Sequence, residues 1–103
     1  PKIADLTAQP QAALCIWDAP RNLQIRIAAR AMVLTGVQAA DRWARVPLAS
    51  RAGYGALPPP GTPIPDATAY SRSADPAGHA VILLSLETID LLTLGPPQRR
   101  ALF

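Results

Sequence analysis

Two residue types that often carry chemistry are almost missing from this chain: its 103 residues include one cysteine, Cys15, and one histidine, His79. A single thiol excludes an intramolecular disulfide and any CxxC pair. With one imidazole it leaves no cluster for a metal ion, so no metal is expected. The seven acids are dispersed, and no two are spaced for general acid/base work. His79 has no Ser or Cys partner that the sequence can assign and reads as structural, so no catalytic residue is assigned. No Gly-rich run follows a strand to cradle a phosphate. No apolar stretch approaches the ~20 residues that cross a bilayer and no signal peptide is present, which points to a soluble, cytoplasmic protein without a membrane partner. The net charge of +3 is scattered and aromatics make up only 5% of the chain, so nucleic acid is not an expected partner.

What is present begins with Leu23–Leu34. Leu23, Ile25, Ile27, Ala29, Ala31 and Val33 alternate with Gln24, Arg26 and Arg30, the period-two pattern of a strand with one face toward a core. The polar face offers an amide and two guanidiniums to solvent or to an anionic or heteroatom-rich ligand. Before it, Ile3 and Leu6 share one side of a short helix that Pro10 ends, and residues 12–17 form a strand. Asp18, Pro20 and Asn22 supply a turn that sets this strand antiparallel to the central one.

After the central strand, Thr35 and Gln38 have capping-box spacing, which predicts a helix with Val37, Ala40 and Trp43 inward and Pro47 at its close. Residues 49–78, rich in Pro and Gly, form a long loop that Tyr54 and Tyr70 tack down. Residues 80–94 read as two strand segments bending near Glu87, and Gly95, Pro96 and Pro97 turn the chain into a last strand from Arg99. Half-hydrophobic composition and this length suit one domain, residues 1–103. The expected class is mainly β (α+β): an antiparallel sheet curled into a barrel, with two short helices and the long loop.

Several of these features in order resemble the pyridoxamine 5′-phosphate oxidase-like group of FMN-binding split β-barrel proteins. They are Lys2 opening a helix, Gln9-Pro10, the strand segment Ala13-Leu14-Cys15-Ile16-Trp17, a turn, and Gln24-Ile25-Arg26, followed by the Trp43 helix leading to Pro47 and Ser50. The closing Arg99-Arg100-Ala-Leu-Phe after a Gly-Pro turn resembles the broader, less characterised branch of that group. The resemblance implies an antiparallel split β-barrel, FMN as cofactor, and a homodimer with flavin at the subunit interface. It also implies that Lys2 meets the FMN phosphate, that Gln24 contacts the flavin, and that Ser50 and Arg100 face the substrate.

The sequence departs from the oxidase proper. Arg42 stands for its helix Tyr, Val46 for its Arg before the Pro, Leu102 for its terminal His, and its Gln-Ser pair falls in the run Pro58, Pro59, Pro60. Pro1 takes the place of a flavin-phosphate Arg. The chain therefore reads as a domain lacking an N-terminal strand or strands and the extreme C-terminus. The expected function is that of an FMN-dependent oxidoreductase of unknown substrate rather than a vitamin B6 oxidase. The alternative is a non-catalytic cofactor-binding or dimerisation scaffold of the same fold.

Overall fold

The computed structural model describes residues 2–103, so the expectation attached to Pro1 lies outside the described residues. The elements in chain order are α1 (Lys2–Ala8), β1 (Gln11–Asp18), β2 (Leu23–Leu34), α2 (Val37–Trp43), α3 (Leu48–Arg51), β3 (Val81–Thr93) and β4 (Arg99–Leu102). Single 3-10 turns occupy Ala19–Arg21 and Pro76–Gly78. The chain divides into two compact units, one holding Val33–Ile82 with the residues up to Ala4, the other Asp5–Met32 with Leu83–Phe103.

The second unit is built on an antiparallel sheet of order β1-β2-β3-β4. β1 and β2 pair in strict register, with Ala13 opposite Ala28, Cys15 opposite Arg26 and Trp17 opposite Gln24. Their connection is pinned locally. Asp18 caps the 3-10 turn by accepting from the Arg21 backbone N–H at 3.3 Å and from Arg21 Nη1 at 2.6 Å. Asn22 then takes the left-handed conformation at φ 49°, which its short polar side chain tolerates better than most residues. β3 and β4 pair with Leu92 opposite Arg100 and Asp90 opposite Leu102.

This sheet corrects the barrel expectation. It runs as an open ladder with β1 and β4 as its two edges, and among the described residues no pairing joins those edges. Closing a sheet requires its outer strands to bond to each other at a tilt and stagger that four strands, the last only four residues long, do not supply. β3 is also one continuous strand of 13 residues rather than two segments.

The first unit is organised around α2 and the long loop. Gly36, at φ 56°, turns the chain into α2 and makes no side-chain cap; the expected Thr35–Gln38 capping box is replaced by a backbone entry that only a glycine adopts readily. This shifts the inward face. Ala39 is buried and Trp43 half-buried one turn on, while Val37 is 93% exposed, so the expected stripe through Val37 and Ala40 does not form. The loop carries its own fastenings: a bridge between Leu57 and Ser71, and a hydrogen bond donated by Ser73 Oγ to the Gly55 carbonyl at 3.0 Å.

Side chains that disappear from solvent are few. Ala29, Ala31, Ala39 and His79 are buried, whereas Trp17, Met32, Leu86, Leu102 and Phe103 are each at least half exposed. No described helix is long and apolar enough to cross a membrane.

Candidate functional site

The alternation of β2 survives into the fold. Arg26 and Arg30 are exposed while Ile27, Ala29 and Ala31 are half-buried or buried, and the register places Gln24, Arg26, Cys15 and Trp17 on one side of the sheet. In the sheet unit, Arg26 and Cys15 share a cleft of about 400 Å³ with Thr88, Asp90 and Arg100, over a floor that includes Ala13 and Ala28. Gln24 is half-buried, two residues along the same strand from Arg26.

Arg100 donates to Asp90 through a parallel fork, Nε to Oδ1 at 2.9 Å and Nη2 to Oδ2 at 2.8 Å. These hydrogen bonds, with the charges of Arg100 and Arg26 behind them, hold the Asp90 carboxyl below the usual aspartate range against the opposing effect of desolvation. The same bonds raise the Arg100 guanidinium above its ordinary value. Asp90 was not singled out in the sequence. Its signal is the hairpin arithmetic: a turn at Gly95-Pro96-Pro97 sets Arg100 across from Leu92, one diagonal step from Asp90 on the same face.

In the other unit, Trp43, Tyr54 and His79 form a ring cluster. Centroids lie 5.6 Å apart for Trp43 and Tyr54, 5.4 Å for Trp43 and His79, and 5.2 Å for Tyr54 and His79, with edge-on or tilted planes. Arg51 covers the Trp43 face at 5.3 Å and donates to the carbonyls of Val46 and Ala44, tying α3 to the end of α2. This accounts for His79 as a packed structural ring and for Tyr54 as the residue that fastens the loop. Tyr70 is instead 43% exposed and held by Arg72.

The residues singled out from the sequence fall in both units. Lys2 is exposed at the first described position of α1, and Ser50 is exposed in α3, its carbonyl accepting from Gly53. Gln24 and Arg100 lie in the sheet unit, where Arg100 lines the cleft. The Gln24 amide is a donor and acceptor of the kind a heteroaromatic ring edged with carbonyls and nitrogens can pair with, and an exposed Lys suits a phosphate. Lys2 belongs to one unit and Gln24 to the other.

The fold is thus that of an open antiparallel-sheet protein with a polar sheet face. Among solved structures the chain is similar to a pyridoxamine 5′-phosphate oxidase-related, FMN binding protein from Nostoc punctiforme PCC 73102, with 28% identity and a TM-score of 0.76. The match covers 98% of this chain and 59% of that one, so the chain spans less than two thirds of its relative. No protein-family model and no curated protein matches the chain. The family-level resemblance read from the sequence is borne out: the chain is a remote relative of an FMN-binding protein of the pyridoxamine 5′-phosphate oxidase-related kind.

Proposed function

We propose that the chain is an FMN-binding flavoprotein with oxidoreductase activity that works as a homodimer with flavin at the subunit interface. The observation that carries this reading is the likeness, over nearly the whole chain, to a protein described as FMN binding. The donors along β2 support it. Lys2 holds the flavin phosphate as a point charge, and Gln24 contacts the ring through its amide. Ser50 and Arg100 serve the substrate side. When bound, the flavin supplies electron and hydride transfer, and the chain's own residues bind and orient it. Dimer formation is supported by the apolar side chains left in solvent, among them Trp17, Leu86 and Leu102, which a second copy covers.

A second reading, a scaffold that binds cofactor without turnover, is favoured by Arg42, Val46 and Leu102, which stand where the oxidase holds its substrate. The test is the visible spectrum of the purified protein, followed by FMN titration of the wild type, Lys2→Ala and Gln24→Ala, with sedimentation to read the oligomeric state. Saturable FMN binding by a dimer, weakened in both variants, supports the flavoprotein. Turnover with a screened donor then separates enzyme from scaffold. A folded protein with no saturable FMN binding overturns the reading.

A further inference from the structure

The cleft on the sheet face draws on all four strands, and its polar lining is Cys15 of β1, Arg26 of β2, Thr88 and Asp90 of β3 and Arg100 of β4. The two guanidiniums differ in what they have left to offer. Arg100 has committed Nε and one hydrogen of Nη2 to Asp90, which fixes its plane and leaves its Nη1 end without a partner among the described residues. Arg26 is exposed and makes no hydrogen bond among the described residues, so its whole planar fork is available. Two guanidiniums and one carboxylate leave one net positive charge. A second negative charge on a ligand would sit against the ionised Asp90. The floor beside Arg26 is made of small side chains, with Ala13 directly opposite Ala28 and Cys15 next in line, which leaves room for a flat body against the sheet.

We propose that this cleft binds a flat monocarboxylate, its carboxylate forked by Arg26 and reached by the free end of Arg100. In this arrangement Asp90 is a positioning residue that holds Arg100 and selects against dianions. Planar bidentate pairing is the geometry a guanidinium offers a carboxylate, and like-charge juxtaposition is how a site rejects the wrong ligand. That this anion is the flavoprotein's substrate rests on the function proposed above; its binding to the cleft does not.

The experiment is calorimetric titration of benzoate and of inorganic phosphate into the protein, with and without FMN. Benzoate is expected to saturate one site and to bind more tightly than phosphate at neutral pH. Arg26→Gln weakens benzoate about tenfold or more, since it removes a charge-assisted fork. Asp90→Asn shifts the preference toward phosphate, and Asp90→Glu restores the wild-type order, a change in selectivity that a purely structural role for Asp90 does not produce. Arg26 has no internal hydrogen bond to lose, so its variant tests the site even if an Asp90 variant fails to fold. Benzoate binding untouched by Arg26→Gln, phosphate bound more tightly than benzoate by the wild type, or no benzoate binding overturns the proposal. FMN binding without benzoate binding removes this inference alone, and benzoate binding without FMN binding upholds it while removing the flavoprotein reading.

Discussion

Gly78 is the position where one added carbon should do the most damage. It ends the Pro76–Gly78 turn, which the Asp75 carboxylate caps by accepting from the Ala77 N–H at 2.9 Å, and it directly precedes the buried His79. A Cβ at Gly78 would run into the backbone carbonyl oxygen of Tyr54 and stand 2.9 Å from its carbonyl carbon. Backbone cannot step aside as a flexible side-chain end can, so Gly78→Ala must move the 53–55 segment or the turn itself. Overpacking of this kind costs about 1–3 kcal/mol. Moving Tyr54 also loosens its pairs with Trp43 and His79, each worth about 0.5–1.5 kcal/mol. The expected loss is about 2–4 kcal/mol, a drop in Tm of roughly 10–25 °C for a domain of this size. Urea and thermal unfolding followed by tryptophan fluorescence and near-UV circular dichroism read it, because Trp43 lies in the affected cluster. Gly53→Ala is the control. Its Cβ would meet only the Ser50 carbonyl at 3.5 Å, an ordinary contact, so the change should be neutral or stabilise by up to about 1 kcal/mol. Gly78→Ala unfolding at the same midpoint as Gly53→Ala would refute the close packing of Tyr54 against this turn.

Acid should weaken the sheet unit through Asp90. Its carboxyl titrates below the ordinary aspartate value in the folded state, so its contribution is complete above the unfolded pKa and fades as pH falls below the ordinary aspartate range and through the lowered folded pKa. Urea midpoints should therefore fall more steeply with acid for the wild type than for Asp90→Asn, and parallel curves would contradict the pairing with Arg100. At the β1–β2 connection, Asp18→Ala removes the acceptor for the Arg21 N–H and should cost about 1 kcal/mol. Asn22→Gly should be tolerated, since glycine accepts φ 49°, whereas Asn22→Val should destabilise; equal urea midpoints for the two would argue against the left-handed turn.

How much of this was legible in the sequence depends on how local each decision was. Strand β2 was readable to its ends because its alternation is a property of consecutive residues, and the turn at Asp18 to Asn22 because each residue acts on its own backbone. Helix α1, ended before Pro10, belongs with them. The start of α2 was misread because two cap chemistries compete within three residues. Thr35 offers a side chain and Gly36 a conformation, and the glycine conformation won. Its inward face moved with it, from Val37 to Ala39.

The candidate site divides in the same way. The shared face of Gln24 and Arg26 follows from strand periodicity, whereas the roles expected of Lys2 and Gln24 came from the family resemblance. Asp90 was invisible because an isolated acid in an apolar run acquires meaning only from the strand beside it, and the β3–β4 register brings Arg100 within 2.9 Å. The Trp43, Tyr54 and His79 cluster joins residues as far apart as 43 and 79, a contact no periodicity encodes.

The sequence alone determined the elements whose causes lie within a few residues: α1, the β1–β2 hairpin with its turn, the polar face of β2, and the absence of a cysteine pair or histidine cluster. Only the tertiary structure decided whether the sheet closes, which side chains share a cleft and which rings bury His79. Those outcomes depend on the pairing of strands and loops distant in the chain, where a one-residue shift in register turns every side chain to the opposite face.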